Sequence, residues 1–368
     1  MKWFEYGDEK ISHREILIAI PSMVIGVGIL SLPKEIATAT MGVDGWIPLV
    51  AGGIFITFIT WMMAKLAAGF PNQSFLSYTS KIVTKPIAIV FTFIFAMIGL
   101  MLAAYEVREI SDIAKQYLFN RTPVEVVALT FLLVVVYAVS GSRAGIFRLN
   151  MMFLPIIILI GIAVPMFNLG WFSFDNLLPV FQTTMGGYKT GITTGLTSYM
   201  GFGIILFYIS LVRKPERTPK MAVIGMCIPI VLYILLFITC IGVFGNAVTS
   251  NLLFPTIELA KEVDIPGGFF ERFESVFFVI WIMAIFNTTV MSFDIAVFAL
   301  GSIFKHTPKL KVIFILSPIV YVMAMLPKDL VAVSTSGTVL SYFAVGFTVV
   351  VTVLLSLIAK LRGLKQVD

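Results

Sequence analysis

The chain is dominated by a succession of long apolar stretches, and these constrain its fold more than any other feature. Ten stretches, each close to the roughly 20 residues that a helix needs to cross a bilayer, are separated by short polar loops. Of the 368 residues, 59% are hydrophobic and 12% are charged, which is too little polar surface to cover a soluble protein. We therefore predict an all-α integral membrane protein that forms a single transmembrane domain over 1–368. The predicted spans are 13–39, 45–69, 85–118, 123–140, 147–167, 187–212, 219–245, 270–302, 310–327 and 336–361.

The distribution of basic residues predicts how the chain is oriented in the membrane. Eighteen Lys and Arg side chains fall on one side of the ten spans and eight on the other. Because short cytoplasmic loops carry the excess of positive charge, both termini are expected in the cytoplasm, which an even number of spans allows. The longest outer loop runs from Gly245 to Arg272. Its segment 255–263 predicts a short amphipathic helix lying at the membrane surface.

Two predicted spans carry glycine pairs that favour a break in the helix at membrane depth. The first span contains Gly26 and Gly28, followed by Pro33, which we expect at the first turn of a new half-helix. The sixth span contains Gly201 and Gly203 beside small polar residues. Unpaired backbone groups occur inside a bilayer only where they face protein or water, so paired breaks indicate a binding site. The alternative is that the glycines only allow close helix packing.

The two breaks occupy matching positions when the chain is divided into five spans plus five. The first repeat then covers 13–167 and the second covers 187–361, and the odd number of spans inverts one repeat relative to the other. Free N–H groups at the start of a half-helix can bind a carboxylate. Free carbonyls at the end of the other half-helix can bind an ammonium group or a cation. A zwitterionic amino acid would satisfy both poles.

Several short stretches resemble a known permease family when they are taken in order. Residues 25–33 (IGVGILSLP) resemble the first-helix motif of the amino acid–polyamine–organocation superfamily. A narrower resemblance is to the B-subunit (GerB-type) permease family of endospore germinant receptors. It is carried by residues 11–15, 42–47, 70–75, 136–141, Arg148 and 176–180. The resemblance extends over nearly the whole chain.

This resemblance implies a LeuT-like fold of two inverted five-helix repeats with helices 1 and 6 broken. It also implies a germinant pocket formed by helices 1, 3, 6 and 8, partner A and C subunits, and a location in the spore inner membrane. The superfamily often has an acid just after the Gly-Phe of helix 6, whereas Gly201-Phe202 is followed here by Gly203 and Ile204. Asp294 is expected at the cytoplasmic end of helix 8, paired with basic loop residues. Without a mid-membrane acid or lysine, active transport and a ligand with a charged side chain are both disfavoured.

The predicted ligand site draws on four helices. A ligand carboxylate is expected at the N–H groups of Gly28, Ile29 and Leu30, and an amine at carbonyls near Val27 and 197–200. One face of helix 3 either lines the pocket or only packs, and three adjacent polar residues of helix 8 either coordinate a ligand or bond to neighbouring helices. The candidate residues are Gly26, Val27, Gly28, Ile29, Leu30, Ile98, Leu102, Tyr105, Thr197, Ser198, Tyr199, Met200, Gly201, Phe202, Asn287, Thr288 and Thr289.

Helix 3 also carries a cluster of charged residues at 106–112. Counted from its inner end at a rise of roughly 1.5 Å per residue, the cluster begins about 31 Å along the helix, at the outer interface. It either lines an outer vestibule of carboxylates, to which Glu271 and Glu274 would add, or forms solvated ion pairs such as Arg108 with Asp112. The solvated ion pairs are the simpler interpretation.

The function most consistent with these features is a nutrient-sensing, permease-like receptor subunit that binds a small neutral amino acid or a similar germinant. The alternatives are a proton- or sodium-coupled amino-acid transporter, and a channel or scaffold that binds no nutrient. His13 and His306 are isolated from other metal-ligating residues, so no metal is expected. We find no cofactor-binding or catalytic motif, which makes an enzyme the least favoured class. Basic residues lie in short loops, so nucleic acid is not an expected partner.

Overall fold

The computed structural model describes residues 10–119, 121–263 and 273–364, which are helical apart from loops and one isolated backbone bridge between Ile11 and Val212. Glu271 and the predicted start of the eighth span at 270 lie outside the described residues. The α-helices of the described ranges are α1 (His13–Val24), α2 (Gly28–Ala39), α3 (Trp46–Ala68), α4 (Phe75–Ile82), α5 (Lys85–Tyr117), α6 (Val124–Ser140), α7 (Arg143–Phe167), α8 (Met185–Ser198), α9 (Ile205–Tyr208, continued by 3₁₀ turns over Phe202–Leu211), α10 (Thr218–Thr249), α11 (Pro255–Lys261), α12 (Phe273–Ile303), α13 (Lys309–Met325) and α14 (Leu330–Leu361).

Most of these helices are long and apolar enough to cross a bilayer. Six of them, α3, α5, α7, α10, α12 and α14, meet that condition individually. Two bent pairs, α1 with α2 and α8 with α9, meet it when each pair is taken as one span, which gives up to eight spans. The fourth and ninth predicted spans correspond to α6 and α13, each of 17 residues. The membrane character is confirmed, whereas the count of ten spans stays a prediction.

The first predicted break is present and bends the span by 60° between α1 and α2. Residues 25–27 are non-helical, and α2 begins at Gly28. The expectation that Pro33 lies in the first turn of the half-helix is wrong, because it lies in the interior of α2. An interior proline leaves the carbonyl four residues earlier without its usual donor. That carbonyl, of Ile29, accepts a hydrogen bond from the hydroxyl of Thr256 on α11 at 3.0 Å.

The second predicted break is also present and bends the span by 44° between α8 and α9. The helix ends at Ser198, and Gly201 adopts a φ of +110°, a conformation that side chains with a Cβ rarely adopt. A Cβ at Gly201 would also lie 2.8 Å from the Cγ of Met23, in α1. Glycine is therefore required here both for the turn and for the close approach of the first broken helix.

The helices α5 and α12 pack against each other in the middle of the bundle. A Cβ at Gly99 of α5 would lie 2.7 Å from the carbonyl oxygen of Ser292 of α12, so the two backbones approach closely at this point. The helix α1 packs against α7, α10 and α12, and α14 packs against α5 and α8. Both breaks consequently lie beside the middle of the central pair.

One buried carboxylate organises the end of the bundle that the sequence predicts to face outward. Asp44, in the turn before α3, is fully buried. It accepts hydrogen bonds from the N–H groups of Phe181 at 2.6 Å and Thr183 at 2.9 Å, and from the hydroxyl of Tyr188 at 3.1 Å. These bonds hold the loop between α7 and α8 against the start of α3.

The helix predicted to lie at the membrane surface is formed as α11, but its surroundings differ from the expectation. Five of its seven residues are buried, and it packs against α2, α10 and α12. An amphipathic pattern requires an apolar cover for one face, and here the protein rather than the lipid supplies it. The helix therefore closes one end of the bundle.

The opposite end contains a second buried carboxylate, Asp294 of α12. Its side chain lies 3.1 Å from the Nε of Arg143 and 3.9 Å from the Nζ of Lys309, and it accepts a hydrogen bond from the hydroxyl of Tyr208 at 2.9 Å. The expected pairing with basic residues is confirmed. It joins α7, α9, α12 and α13 at this end.

Candidate functional site

The ends of the two broken helices meet at one side chain. The hydroxyl of Tyr233, on α10, donates to the carbonyl of Val24 at 2.8 Å and lies 3.5 Å from the carbonyl of Ser198. Val24 is the last residue of α1, and Ser198 is the last residue of α8. The terminal carbonyls of both half-helices therefore share one buried hydroxyl, and a change at either break would alter this contact.

The amide groups of the first break are partly used within it. The N–H of Gly26 donates to the carbonyl of Val24, and the N–H of Leu30 donates to the carbonyl of Val27, each at 3.0 Å. The first N–H groups of a helix have no partner inside it. Of the three amides predicted to meet a ligand carboxylate, those of Gly28 and Ile29 begin the half-helix, while that of Leu30 is already bonded.

A polar cavity of about 220 Å³ lies beside the two breaks. Its walls come from the break between α1 and α2, the middle of α5, the end of α8, and parts of α12 and α14. The helices 1, 3, 6 and 8 of the expected pocket thus all contribute. Nine predicted site residues line this cavity, namely Gly26, Val27, Gly28, Leu102, Tyr105, Thr197, Ser198, Met200 and Thr288.

A smaller and mostly apolar cavity of about 40 Å³ adjoins the polar one. The two cavities share Met23, Leu102 and Met200 as common walls. Three further predicted residues line the apolar cavity, namely Ile98, Gly201 and Phe202. A small molecule with polar groups at one end and an apolar side chain at the other fits this division.

The remaining predicted residues line neither cavity. The carbonyl of Ile29 and the N–H of Leu30 are bonded as described above. The Tyr199 hydroxyl donates to the carbonyl of Leu49 at 3.1 Å, and the Thr289 hydroxyl donates to the carbonyl of Ile285 at 2.7 Å. These contacts are structural.

Asn287 is 1% exposed, and neither atom of its side-chain amide has a hydrogen-bond partner among the described residues. It lies next to Thr288, whose hydroxyl is 3.3 Å from the carbonyls of Ser22 and Ala284. Of the three adjacent polar residues of α12, only Thr288 faces the polar cavity, so the three do not act as one ligand set.

The charged cluster at 106–112 divides into two groups. The pair of Arg108 and Asp112 forms as expected, with 2.7 Å between Nε and Oδ2. Glu106 and Glu109 are 3% and 8% exposed and line the polar cavity, so placing them in solvated pairs at the outer interface is wrong. Counting along the helix failed because α5, at 33 residues, is longer than a bilayer needs, so its end does not mark the lipid boundary.

The sequence did contain a signal for these two acids. Leu102, Tyr105, Glu106 and Glu109 follow the i, i+3, i+4, i+7 spacing of one helical face. By sequence, Leu102 and Tyr105 lie on a face of helix 3 that either lines the pocket or only packs. Extending that face by one turn would have placed both carboxyl groups inside.

The carboxyl group of Glu106 is packed directly against the first break. A Cβ built on Gly26 would lie 2.8 Å from Oε1 of Glu106 and 3.0 Å from Oγ1 of Thr288. The backbone N–H of Val27 lies near the Glu106 carboxyl. Its Oε2 atom is buried without a hydrogen-bond partner, and no Lys or Arg of the described ranges forms an ion pair with it.

Two broken helices that enclose a small cavity inside an apolar bundle define a protein with a transporter fold. The fold is similar to that of MhsT in complex with L-phenylalanine, with a TM-score of 0.73 at 16% identity over 95% of this chain and 90% of the other. It is also similar to Mhp1, a nucleobase-cation-symport-1 family transporter, in a closed conformation with bromovinylhydantoin bound. That TM-score is 0.63, at 16% identity, covering 90% and 75% of the two chains. These likenesses confirm the LeuT-like fold with broken helices 1 and 6.

The chain belongs to the spore permease family of spore germination proteins, whose family profile matches residues 10–333. It is 40% identical to the spore germination protein GerLB of Bacillus cereus over 98% of this chain and 97% of the relative. It is 30% identical to the spore germination protein YndE of Bacillus subtilis (strain 168), over 96% and 97%. The GerB-type family predicted from the ordered motifs is therefore confirmed, as is a permease-like germination subunit in the membrane.

Proposed function

We propose that this chain is the nutrient-sensing subunit of a germinant receptor and binds a small neutral amino acid, or a similar nutrient, between its two helix breaks. The observation that carries the proposal is the polar cavity bounded by the exposed backbone of both breaks and continued by an apolar cavity. The family membership supports a role in germination. The two solved structures, each with a small molecule bound, support a fold that holds such ligands.

Ligand binding would act on the contact between the two half-helices. The carboxylate would meet the N–H groups of Gly28 and Ile29, and an apolar side chain would extend past Leu102 and Met200 towards Phe202. Because Tyr233 bonds to the end of α1 and approaches the end of α8, a ligand that moves either end favours one arrangement of the two repeats over the other. Partner A and C subunits in the spore inner membrane would detect that shift.

The test is thermal unfolding of the purified chain in lipid nanodiscs with a panel of the 20 L-amino acids, glucose and inosine. A ligand that binds the folded state raises the unfolding temperature with its concentration. We expect at least one nutrient to do so, and the shift should be lost when Met200→Trp fills the wall that the two cavities share. No shift with any nutrient would favour a channel or scaffold and contradict the proposal.

Gradient-driven transport is the second candidate, because the structure places a buried carboxyl group beside the break. Intramembrane acids are costly and frequently couple transport to an ion. Two arguments against a transporter come from the sequence, namely the lack of a mid-membrane acid and the lack of an acid after Gly201-Phe202. Glu106 removes the first argument, and the second one stands. Uptake of labelled amino acids into proteoliposomes under an imposed proton or sodium gradient separates the two functions. Concentrative uptake would establish the transporter, and binding without uptake would establish the sensor.

A further inference from the structure

The polar cavity contains an excess of carboxyl groups. Glu35, Glu106 and Glu109 line it, and Lys34 is the only basic residue that does so within the described ranges. Glu35 accepts a hydrogen bond from the hydroxyl of Ser31 at 2.9 Å, and the hydroxyl of Tyr105 lies near the Glu109 carboxyl. Glu106 differs from both because it is more deeply buried and because its Oε2 atom has no hydrogen-bond partner among the described residues.

A carboxyl group in this situation is unfavourable unless another group binds to its second oxygen. Burying a polar atom without a hydrogen bond is destabilising, and more so if the group is charged. The Glu106 carboxyl nevertheless points at the first break, beside Gly26 and near the N–H of Val27. A cationic group in the cavity would complete the coordination of its second oxygen.

We propose that Glu106 binds the ammonium group of the germinant, so that the receptor accepts molecules with a primary amine and rejects nutrients without one. This inference rests on the proposed function and specifies its ligand class. It replaces the carbonyls near Val27 and 197–200 as the principal partner of the amine. The amides of Gly28 and Ile29 begin α2 and have no partner within that helix, so they would meet a carboxylate, and an α-amino acid fits both ends of the break.

The experiment compares chemical classes of ligand by the change that each causes in the unfolding temperature of the full chain in nanodiscs. The probes are the 20 L-amino acids, the 2-hydroxy acid analogue of each amino acid that stabilises, glucose, inosine, and NaCl or KCl against N-methylglucamine chloride. The variant is Glu106→Gln, and the control is Asp112→Asn. The control removes a carboxylate from the same helix at a residue outside the cavity, where it pairs with Arg108.

We expect an amino acid to stabilise the unmodified chain and its 2-hydroxy analogue to fail. Glu106→Gln should weaken amino-acid binding at least tenfold, while Asp112→Asn leaves it unchanged. If Glu106→Gln does not fold, the comparison of amine and hydroxyl on the unmodified chain decides the proposal alone.

Three results would overturn the ammonium assignment and leave the proposed function standing. These are stabilisation by glucose or inosine alone, equal stabilisation by an amino acid and its hydroxy analogue, and unchanged amino-acid binding in Glu106→Gln. A Glu106-dependent response to Na⁺ or K⁺ without any response to amines would instead assign the carboxylate to a metal cation. No stabilisation by any probe would overturn both the inference and the proposed function.

Discussion

Gly26 lies within the first break and Gly28 at its end, and the structure predicts opposite effects for a methyl group added at each. In Gly26→Ala the new Cβ would lie 2.8 Å from Oε1 of Glu106, and 3.0 Å and 3.2 Å from Oγ1 and Cγ2 of Thr288, so both branches of the threonine obstruct it even if the carboxyl turns aside. In Gly28→Ala it would have no atom within 4 Å apart from its chain neighbours and the backbone of its own helix. Both residues have a φ that alanine tolerates, so the contacts of the new Cβ decide whether each substitution raises or lowers the free energy of unfolding.

The expected difference in unfolding free energy between the two variants follows from two contributions. Overpacking in a buried site costs about 1–3 kcal/mol. Replacing glycine by alanine where the conformation allows it gains about 0.4–1 kcal/mol, because the unfolded chain loses freedom. Gly26→Ala should therefore lose about 1–2 kcal/mol on combining the two terms. Gly28→Ala should gain about 0.5 kcal/mol from the second term alone.

The assay is unfolding of both variants in the same nanodiscs, followed by pulse proteolysis over a denaturant series. Gly28→Ala serves as the matched control, since it adds the same atoms to the same break. Equal effects of the two substitutions, or a larger loss in Gly28→Ala, would refute the geometry of the break and the position of Glu106 within it.

Three further substitutions test other parts of the structure. Tyr233→Phe removes the hydroxyl bonded to Val24 and should lower the unfolding free energy by about 1–2 kcal/mol; no loss would show that the half-helix ends are held elsewhere. Asp44→Asn replaces one carboxylate oxygen by an NH2 group that faces the existing N–H and O–H donors, and it should expose the 168–184 loop to protease. Asp175→Asn, at an exposed position of the same loop, should not. Identical cleavage of the two variants would show that Asp44 does not hold this loop. Asp294→Asn leaves basic partners without their buried counter-charge and should cost about 3 kcal/mol in denaturant unfolding; a loss below about 0.5 kcal/mol would make this ion-pair cluster dispensable.

Both breaks could be predicted from the sequence because only glycine fits where a helix must turn within a packed bundle. Gly201 satisfies that rule through its positive φ and its contact with Met23. The expectation that Pro33 lies in the first turn of α2 is wrong, because an interior proline is tolerated when another segment supplies the hydrogen-bond donor that the proline lacks. Thr256, 227 positions after Ile29, donates to the Ile29 carbonyl, and no local pattern reveals such a partner.

The acids of α5 show where counting along a helix fails. Distance along the helix gives depth only if one end is fixed at the lipid boundary, and a helix of 33 residues extends beyond the bilayer. The direction in which a side chain faces is more robust, because it follows from the helical period. The spacing of Leu102, Tyr105, Glu106 and Glu109 contained the correct answer.

The position of α11 shows a second limit. Its pattern correctly predicted a helix with one apolar face, but periodicity does not distinguish a lipid cover from a protein cover. The contacts that settle the matter come from the flanking helices α10 and α12 and from α2, which is more than 200 residues away in the sequence. The short helices α6 and α13 pose a related problem, since 17 residues is the lower end of what a bilayer requires.

The most direct test of the account is an experimental density map of the chain in lipid nanodiscs, with the amino acid that stabilises it most. We expect the map to show non-helical backbone at 25–27 and 199–201, and ligand density between Val27, Glu106 and Met200. Continuous helices across both glycine pairs, or ligand density elsewhere, would contradict it.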